Sequence, residues 1–410
     1  MKKMIPFFIV AMITVLILIG CNGTVEEQTG LSLNKDPLLP STIKMTKPWD
    51  PLDTDDPAGR EPMRVVHTLW HEPEEDPRIV IGYQLEDGTP YFDHIVLMFG
   101  LMLRYGNTPS RNCSCNRYEL HACYLSNNPM NTYINDWEKY FKPIQDRGIK
   151  VLFSITPYLG GAAVGNLFES ASWTGVLQDK YGDYPFNQQE TFRMIDEVAR
   201  FMKDFKIDGI AFYEEPINAW LPPDGGTGIA LSRNNGNIIR FMYELQAALN
   251  ILGENRKIIY ENIECVSIPE YATFVNRRGE TVTVYRNEIL NYTFNPWYGR
   301  FDSDPSSPDF PVGRYGPVSI DIAGSRDLSP RPNYGNTQSL LKKHLYGNYG
   351  GVMYYHLRSG TDIAEGERSG RPAWPANRFG VDNKVETYLT KISEALHGQK
   401  TVFIGNDYRR

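Results

Sequence analysis

Apolar runs of strand length alternate with amphipathic helical segments from about residue 78 to residue 405, and this alternation constrains the fold more than any other feature. Alternating strands and helices favour βα units and a parallel sheet. The predicted strands are His94–Phe99, Ile149–Ile155, Ile207–Tyr213, Lys257–Ile263, Leu290–Asn295, Val318–Ala323, Gly351–Leu357 and a weaker run, Leu120–Leu125. Eight such units in roughly 320 residues predict a fold of the α/β class, a single (β/α)8 TIM barrel with elaborated loops.

Three helical segments between these strands repeat apolar residues at spacings of three and four, the period of a helix with one buried face. They contain Phe192, Ile195, Val198, Met202 and Phe205; Ile238, Phe241, Leu245, Leu249 and Leu252; and Trp137, Phe141 and Ile144.

The N-terminus carries the features of a secretory signal. Lys2 and Lys3 precede an apolar run over residues 4–19, which is too short for a comfortable membrane span. The ending Leu-Ile-Gly-Cys at residues 18–21 resembles a bacterial lipobox, and that resemblance implies that Cys21 is lipidated and anchors the chain in a membrane. The alternative is a plain signal peptide that is cleaved nearby.

Three segments are expected along the chain. Residues 1–20 form the lipoprotein signal peptide, residues 21–75 an extended tether rich in Pro, Asp, Lys and Thr, and residues 76–410 the barrel. A short docked strand is expected near Val65 and Val66. The pair Glu26-Glu27 resembles the surface-export signal of Bacteroidetes lipoproteins, which implies a surface-exposed position on the outer membrane.

Composition excludes one class of partner. The net charge is −7, and no cluster of Lys and Arg forms the basic face that a phosphate-tracking protein needs, so nucleic acid is not an expected partner. Hydrophobic residues make up 41% of the chain, enough for a sizeable core.

Four cysteines remain beside Cys21, namely Cys113, Cys115, Cys123 and Cys265. An oxidising exterior permits a disulfide from Cys113 or Cys115 to Cys123, and three free thiols are the alternative. A Cys-x-Cys…Cys metal site lacks a suitable fourth ligand beyond His121. No metal and no cofactor are therefore predicted.

Residues 208–216 read Asp-Gly-Ile-Ala-Phe-Tyr-Glu-Glu-Pro and end a buried strand in two carboxylates. Successive side chains of a strand point to opposite faces, so Ala211, Tyr213 and Glu215 share one face and Glu214 belongs to the other. In a barrel, the C-terminal strand end is where chemistry takes place. Glu215 is therefore a candidate site residue at the barrel mouth, unless it is a solvent-facing loop carboxylate.

This segment resembles the strand-four signature of glycoside hydrolase family 18, Asp-Gly-x-Asp-x-Asp-x-Glu. Asp208, Gly209 and Glu215 match it, whereas Ala211 and Tyr213 occupy the two inner Asp positions. Further stretches resemble the single-domain endo-β-N-acetylglucosaminidases of this family in order and spacing. They are Phe-Asp-His-Ile-Val at 92–96, residues 148–155, residues 160–168, Asn-Pro-Trp-Tyr-Gly at 295–299 and residues 349–357.

The resemblance implies a substrate-assisted reaction, an exception to the two-carboxylate scheme. Glu215 would protonate the glycosidic oxygen, and Tyr213 stands where an Asp would hold the reacting acetamide. A phenol is neutral at pH 7 and offers no full charge to a developing cation. Loss of such a preorganised partner typically costs ~10²–10³ in rate. Glu214 would restore a charge only if the chain turned it inward before Pro216.

Other candidate residues each have a structural alternative. Tyr355 matches the strand-eight Tyr of the family if one residue of slippage is allowed, and is otherwise a core residue. Trp297 and Tyr298 would stack on a sugar ring or pack within their loop. Asn295 would bind a sugar hydroxyl or cap its strand, and Trp220 would line the cleft or lie on the surface.

Two functions are therefore expected from the sequence. The first is a lipid-anchored glycan-binding protein, on a family 18 scaffold, that captures N-acetylglucosamine-containing glycans or glycoproteins for a glycan-import complex. The second is an active endo-β-N-acetylglucosaminidase with Glu215 as general acid.

Overall fold

The computed structural model describes residues 65–71, 76–105, 120–123, 130–156, 164, 167–168, 170–171, 184–185, 188–213, 236–263, 268–295, 310–321, 349–355, 357 and 385–404. Their strands are β1 (Val66–His71), β2 (Tyr83–Leu85), β3 (His94–Tyr105), β4 (Leu120–Cys123), β5 (Lys150–Thr156), β6 (Ser170–Ala171), β7 (Tyr184–Pro185), β8 (Gly209–Phe212), β9 (Ile259–Ile263), β10 (Tyr271–Val275), β11 (Thr281–Tyr285), β12 (Tyr292–Phe294), β13 (Tyr315–Gly316), β14 (Val318–Asp321), β15 (Gly351–Tyr355) and β16 (Thr401–Phe403). Their α-helices are α1 (Met130–Asn135), α2 (Trp137–Tyr140), α3 (Lys142–Asp146), α4 (Gln188–Asp204), α5 (Gly236–Ile251), α6 (Arg286–Ile289) and α7 (Val385–His397), and 3-10 helices span Pro77–Gly82 and Val312–Arg314.

The central sheet is a parallel barrel. Its strands pair in the order β1, β3, β5, β8, β9 and β12, and β15 pairs with the other side of β1. The seventh position is held by β13, which pairs with β12, and β14, which pairs with β15. Only Pro317 separates these two short strands. Because proline has no N–H for a ladder bond, the strand is interrupted there, while the continuous chain joins the two ends of the sheet.

Hydrogen bonds hold this closure together. The backbone N–H of Asn295 donates to the Gly316 carbonyl at 2.9 Å, and its side-chain Nδ2 donates to the Pro317 carbonyl at 3.2 Å. The Ser319 hydroxyl donates to the Asn295 carbonyl. The predicted TIM barrel is therefore confirmed, and seven of the predicted strands lie in it with shifted ends.

The eighth predicted barrel strand is wrong. β4 pairs antiparallel with the C-terminal end of β3, over residues Met102–Tyr105. The missing barrel strand is β1, which pairs in parallel with β3 and β15. The barrel therefore includes Val66–His71, in the stretch where the sequence predicts a short docked strand near Val65 and Val66.

The predicted helices pack outside the barrel. α4 and α5 cover the outer faces of β5, β8 and β9 with apolar side chains such as Ile195, Val198, Phe241 and Leu245, all fully buried. The third predicted segment forms the short helices α1–α3, where Phe141 and Ile144 are buried. None of the described helices is long and apolar enough to cross a membrane.

A β-hairpin, β10–β11, is an addition that periodicity did not predict, and a buried arginine ties it to the barrel helices. Arg277, in the hairpin turn, donates from Nη1 to Asp196 of α4 at 2.7 Å and from Nε to Glu244 of α5 at 3.1 Å. Its backbone N–H also donates to Glu244 at 3.0 Å. Burial raises the pKa of Glu244, and the Arg277 charge opposes that rise.

We expect Arg277→Ala to lower the free energy of unfolding by about 3–5 kcal/mol, because the substitution leaves two buried carboxylates without their cation. The matched control is Arg278→Ala, since Arg278 pairs with the exposed Glu280 at 3.2 Å and should contribute about 1 kcal/mol or less. Chemical denaturation of both variants measures the difference. Equal losses would show that the hairpin is not anchored through Arg277.

Candidate functional site

The strand-four segment folds as its alternation predicts. Ala211 is fully buried in the barrel lumen and Tyr213 packs against the same lumen cluster, whereas Ile210 and Phe212 face the surrounding helices. Glu214 and Glu215 lie outside the described residues. The face that Ala211 and Tyr213 share is thus the lumen face.

The first two residues of this segment hold the strand in place. The Asp208 carboxylate accepts hydrogen bonds from the Val151 backbone N–H at 2.9 Å and from Gln145 Nε2 at 3.0 Å, which joins β8 to β5. A Cβ on Gly209 would lie 2.2 Å from the Ile259 carbonyl oxygen, so only glycine permits this approach of β8 to β9. Asp208 and Gly209 therefore position the strand and do not form part of the lumen site.

Three aromatic side chains form the candidate site inside the lumen. The Trp70 ring lies 5.6 Å from the Tyr213 ring and 6.2 Å from the Tyr355 ring, measured between centroids. Trp70 and Tyr355 are buried and Tyr213 is half-buried. These three residues come from β1, the end of β8 and β15, and the parallel alignment of the strands brings them together.

The last barrel strand places its two tyrosines on opposite faces. Tyr355 faces the lumen, whereas Tyr354 faces outward. The Tyr354 hydroxyl is hydrogen-bonded to His67 Nδ1 at 2.8 Å and to the Tyr91 hydroxyl at 2.9 Å. Tyr355 is therefore the member of the pair that lies in the lumen beside Trp70.

Asn295 is fully buried, and its side-chain amide bonds the Pro317 carbonyl at the barrel closure. Of its two predicted roles, the geometry matches the strand cap. The remaining sequence-predicted site residues, Trp220, Trp297 and Tyr298, and the lipidation site Cys21 lie outside the described residues.

A buried polar group crosses the lumen beneath the aromatic residues. Glu261 of β9 is fully buried and its Oε1 accepts hydrogen bonds from His94 Nδ1 at 2.5 Å and from the Thr68 hydroxyl at 3.0 Å. Thr68 lies on β1, which β3, β5 and β8 separate from β9, so the contact reaches across the barrel. Glu261 pairs in register with Ala211, which places it below Tyr213.

Sequence reasoning missed Trp70 and Glu261. Trp70 lies within residues 21–75, where the sequence predicts a tether, and Val66–His71 alternates poorly because His67, Thr68 and His71 interrupt its apolar residues. Glu261 is a charged residue in the middle of a predicted apolar strand, which was a usable signal. Among the described residues, no three His, Cys, Asp or Glu side chains come together as metal ligands.

No family model matches the chain, and no curated protein matches its sequence. Among solved structures, the chain is similar to EndoBT-3987 of Bacteroides thetaiotaomicron with its Man5GlcNAc product, at 16% identity and a TM-score of 0.52, over 83% of this chain and 62% of that chain. The structure of the same enzyme with a Man9GlcNAc2Asn substrate is 15% identical with a TM-score of 0.49, and the match covers 83% of this chain and 67% of that chain. Catalytic domain 2 of the Ostrinia furnacalis Group II chitinase is 11% identical with a TM-score of 0.45, and the match covers 85% of this chain and 100% of that chain.

These similarities show the fold. The chain has the TIM-barrel fold that it shares with EndoBT-3987, as its alternation of strands and helices predicts. It spans 62% of the length of the EndoBT-3987 chain with which it shares that fold.

We expect Glu261→Ala to lower the free energy of unfolding by about 3–5 kcal/mol, because it leaves His94 Nδ1 and the Thr68 hydroxyl buried without their acceptor. Glu261→Gln, which keeps an acceptor oxygen at nearly constant volume, should cost less. Denaturant titrations of the two variants test this. A Glu261→Ala variant as stable as the native chain would contradict the cross-lumen role.

Proposed function

We propose that this chain binds N-acetylglucosamine-containing glycans of the N-glycan type at the mouth of its barrel and hydrolyses them little or not at all. The observation that carries the proposal is the lumen position of Tyr213 above Ala211. A family 18 scaffold there holds a phenol and a methyl group in place of two carboxylates.

The aromatic residues of the lumen support the binding half of the proposal. Sugar rings present apolar C–H faces that pack on aromatic rings, and the hydroxyls of Tyr213 and Tyr355 supply polar contacts at the edge of such a surface. The described lumen around them is otherwise mostly apolar, with Met98, Ile263 and Met353 in the same cluster.

The electrostatics of the lumen support the second part of the proposal, which is that the chain hydrolyses glycans little or not at all. A neutral phenol cannot balance the positive charge that develops on a sugar during substrate-assisted hydrolysis. Glu261 Oε1 is bound to His94 and Thr68, whereas Oε2 is buried without a partner among the described residues. The distance of its strand position from Tyr213, about 7 Å further down the barrel, argues against this role for Glu261.

The alternative function is an active endo-β-N-acetylglucosaminidase in which Glu215 is the general acid and Glu214, turned inward, restores the missing charge. The Asp-Gly start of the segment and the lumen position of Tyr355 favour this alternative, because they keep the scaffold of the strand-four site intact.

We expect calorimetric titration to show binding of a high-mannose N-glycan, the class held by the EndoBT-3987 structure of the same fold. A denatured glycoprotein incubated with the chain should release little or no glycan. Robust release that disappears in Glu215→Gln would establish the alternative function. Absence of both binding and release would reject both functions.

We propose further that Cys21 is lipidated and anchors the chain in the outer membrane, facing outward, beside a glycan importer. The basis is the lipobox-like ending of the signal segment and the acidic pair Glu26-Glu27. Labelled palmitate should enter the native chain and not Cys21→Ala, and protease added to intact cells should remove the native chain. Protection from that protease would place the chain on the periplasmic side.

A further inference from the structure

Trp70 has a polar atom for which the described residues provide no partner. Its side chain is fully buried in the lumen, and its indole N–H meets no hydrogen-bond acceptor. An indole N–H is a donor only, and a buried tryptophan usually finds an acceptor because an unmet donor loses its hydration without compensation. This open donor lies within the aromatic cluster of the candidate site.

The surroundings of Trp70 define what kind of acceptor fits. The rings of Tyr213 and Tyr355 lie beside it, and the same cluster contains the apolar residues Ala211, Ile263, Phe294 and Met353. A ligand group that enters such a cluster must accept the indole hydrogen bond and must not leave a donor of its own desolvated without a partner. It should also carry an apolar part that packs on the cluster. A carbonyl oxygen next to a methyl group satisfies these conditions.

We propose that Trp70 is a specificity-determining residue that donates from Nε1 to the carbonyl oxygen of an acetamido group on the bound sugar. This inference rests on the proposed glycan-binding function and extends it to one contact. The acetamido methyl packs on the apolar residues of the cluster, and the phenol oxygens of Tyr213 and Tyr355 are acceptors for the amide N–H.

The chemistry separates this ligand from related sugars. A plain hydroxyl would accept the same hydrogen bond, but it has no methyl group to pack on the apolar residues of the cluster. An amino sugar without its acetyl group offers an ammonium, which has donors only and cannot accept from an indole. Tyr213 is the half-buried ring beside Trp70, with ring centroids 5.6 Å apart, and it is therefore the one of the three aromatic rings of the candidate site that lies nearest to solvent.

The test replaces one N–H and little else. Trp70→β-(3-benzothienyl)alanine puts sulfur in the place of the N–H at nearly constant shape, and Trp70→Phe removes the donor with a natural residue. The control is the same isostere at Trp137, which packs on Phe141 outside the lumen with ring centroids 4.4 Å apart. The full-length chain in detergent is titrated with N,N′-diacetylchitobiose and with its de-N-acetylated counterpart, and its thermal unfolding is followed.

We expect the isostere at Trp70 to weaken binding of diacetylchitobiose about tenfold, the size of one lost hydrogen bond, without lowering the unfolding temperature. The isostere at Trp137 should leave binding unchanged, and the native chain should bind the de-N-acetylated sugar at least as weakly as the Trp70 variant binds the acetylated one. Equal affinities for diacetylchitobiose in the native and Trp70-isostere chains would overturn the Trp70 contact alone. A lowered unfolding temperature would overturn it too, because the N–H would then have a structural partner. A native chain that binds neither sugar would overturn the glycan proposal together with this inference.

Discussion

The parallel alignment of eight strands around one axis is the constraint on which the rest of this structure depends. Because side chains alternate along each strand, every second residue of every strand must share a single lumen. Ala211 and Tyr213 therefore meet Trp70 and Tyr355, although more than 280 residues separate Trp70 from Tyr355 in the chain. The break at Pro317 does not disturb this arrangement, since Asn295 and Ser319 bridge it with hydrogen bonds.

The polar and the aromatic residues of the lumen lie at different levels along the barrel axis. Low in the barrel, Glu261, His94 and Thr68 join opposite walls, and the carboxylate oxygen that they share is occupied. Above them, the described side chains of the candidate site are neutral: two phenols, an indole and apolar groups. The described side chains at this height therefore supply aromatic faces and hydroxyls but no carboxylate, and this is the basis of the binding function proposed above.

The barrel could be predicted because seven of its strands are apolar-rich runs of strand length and the helices between several of them have a clear period. At β1 the sequence predicted only a short docked strand and not a barrel strand, because His67, Thr68 and His71 break the apolar run although all three are buried in the fold. Those residues are buried through tertiary partners, such as Tyr354 for His67 and Glu261 for Thr68, and a single sequence does not reveal such pairs. The same limit hid Trp70, while strand alternation alone was sufficient to place Tyr213 in the lumen.

The most direct measurement of the central claim is glycan release by Tyr213→Asp, which restores an anion where the native chain has a phenol. If the neutral phenol limits the chemistry, this variant should release high-mannose glycan about 10²–10³-fold faster than the native chain, and a second substitution, Glu215→Gln, should abolish the gain. A native chain that already releases glycan rapidly, at a rate that Tyr213→Asp does not raise, would contradict the account.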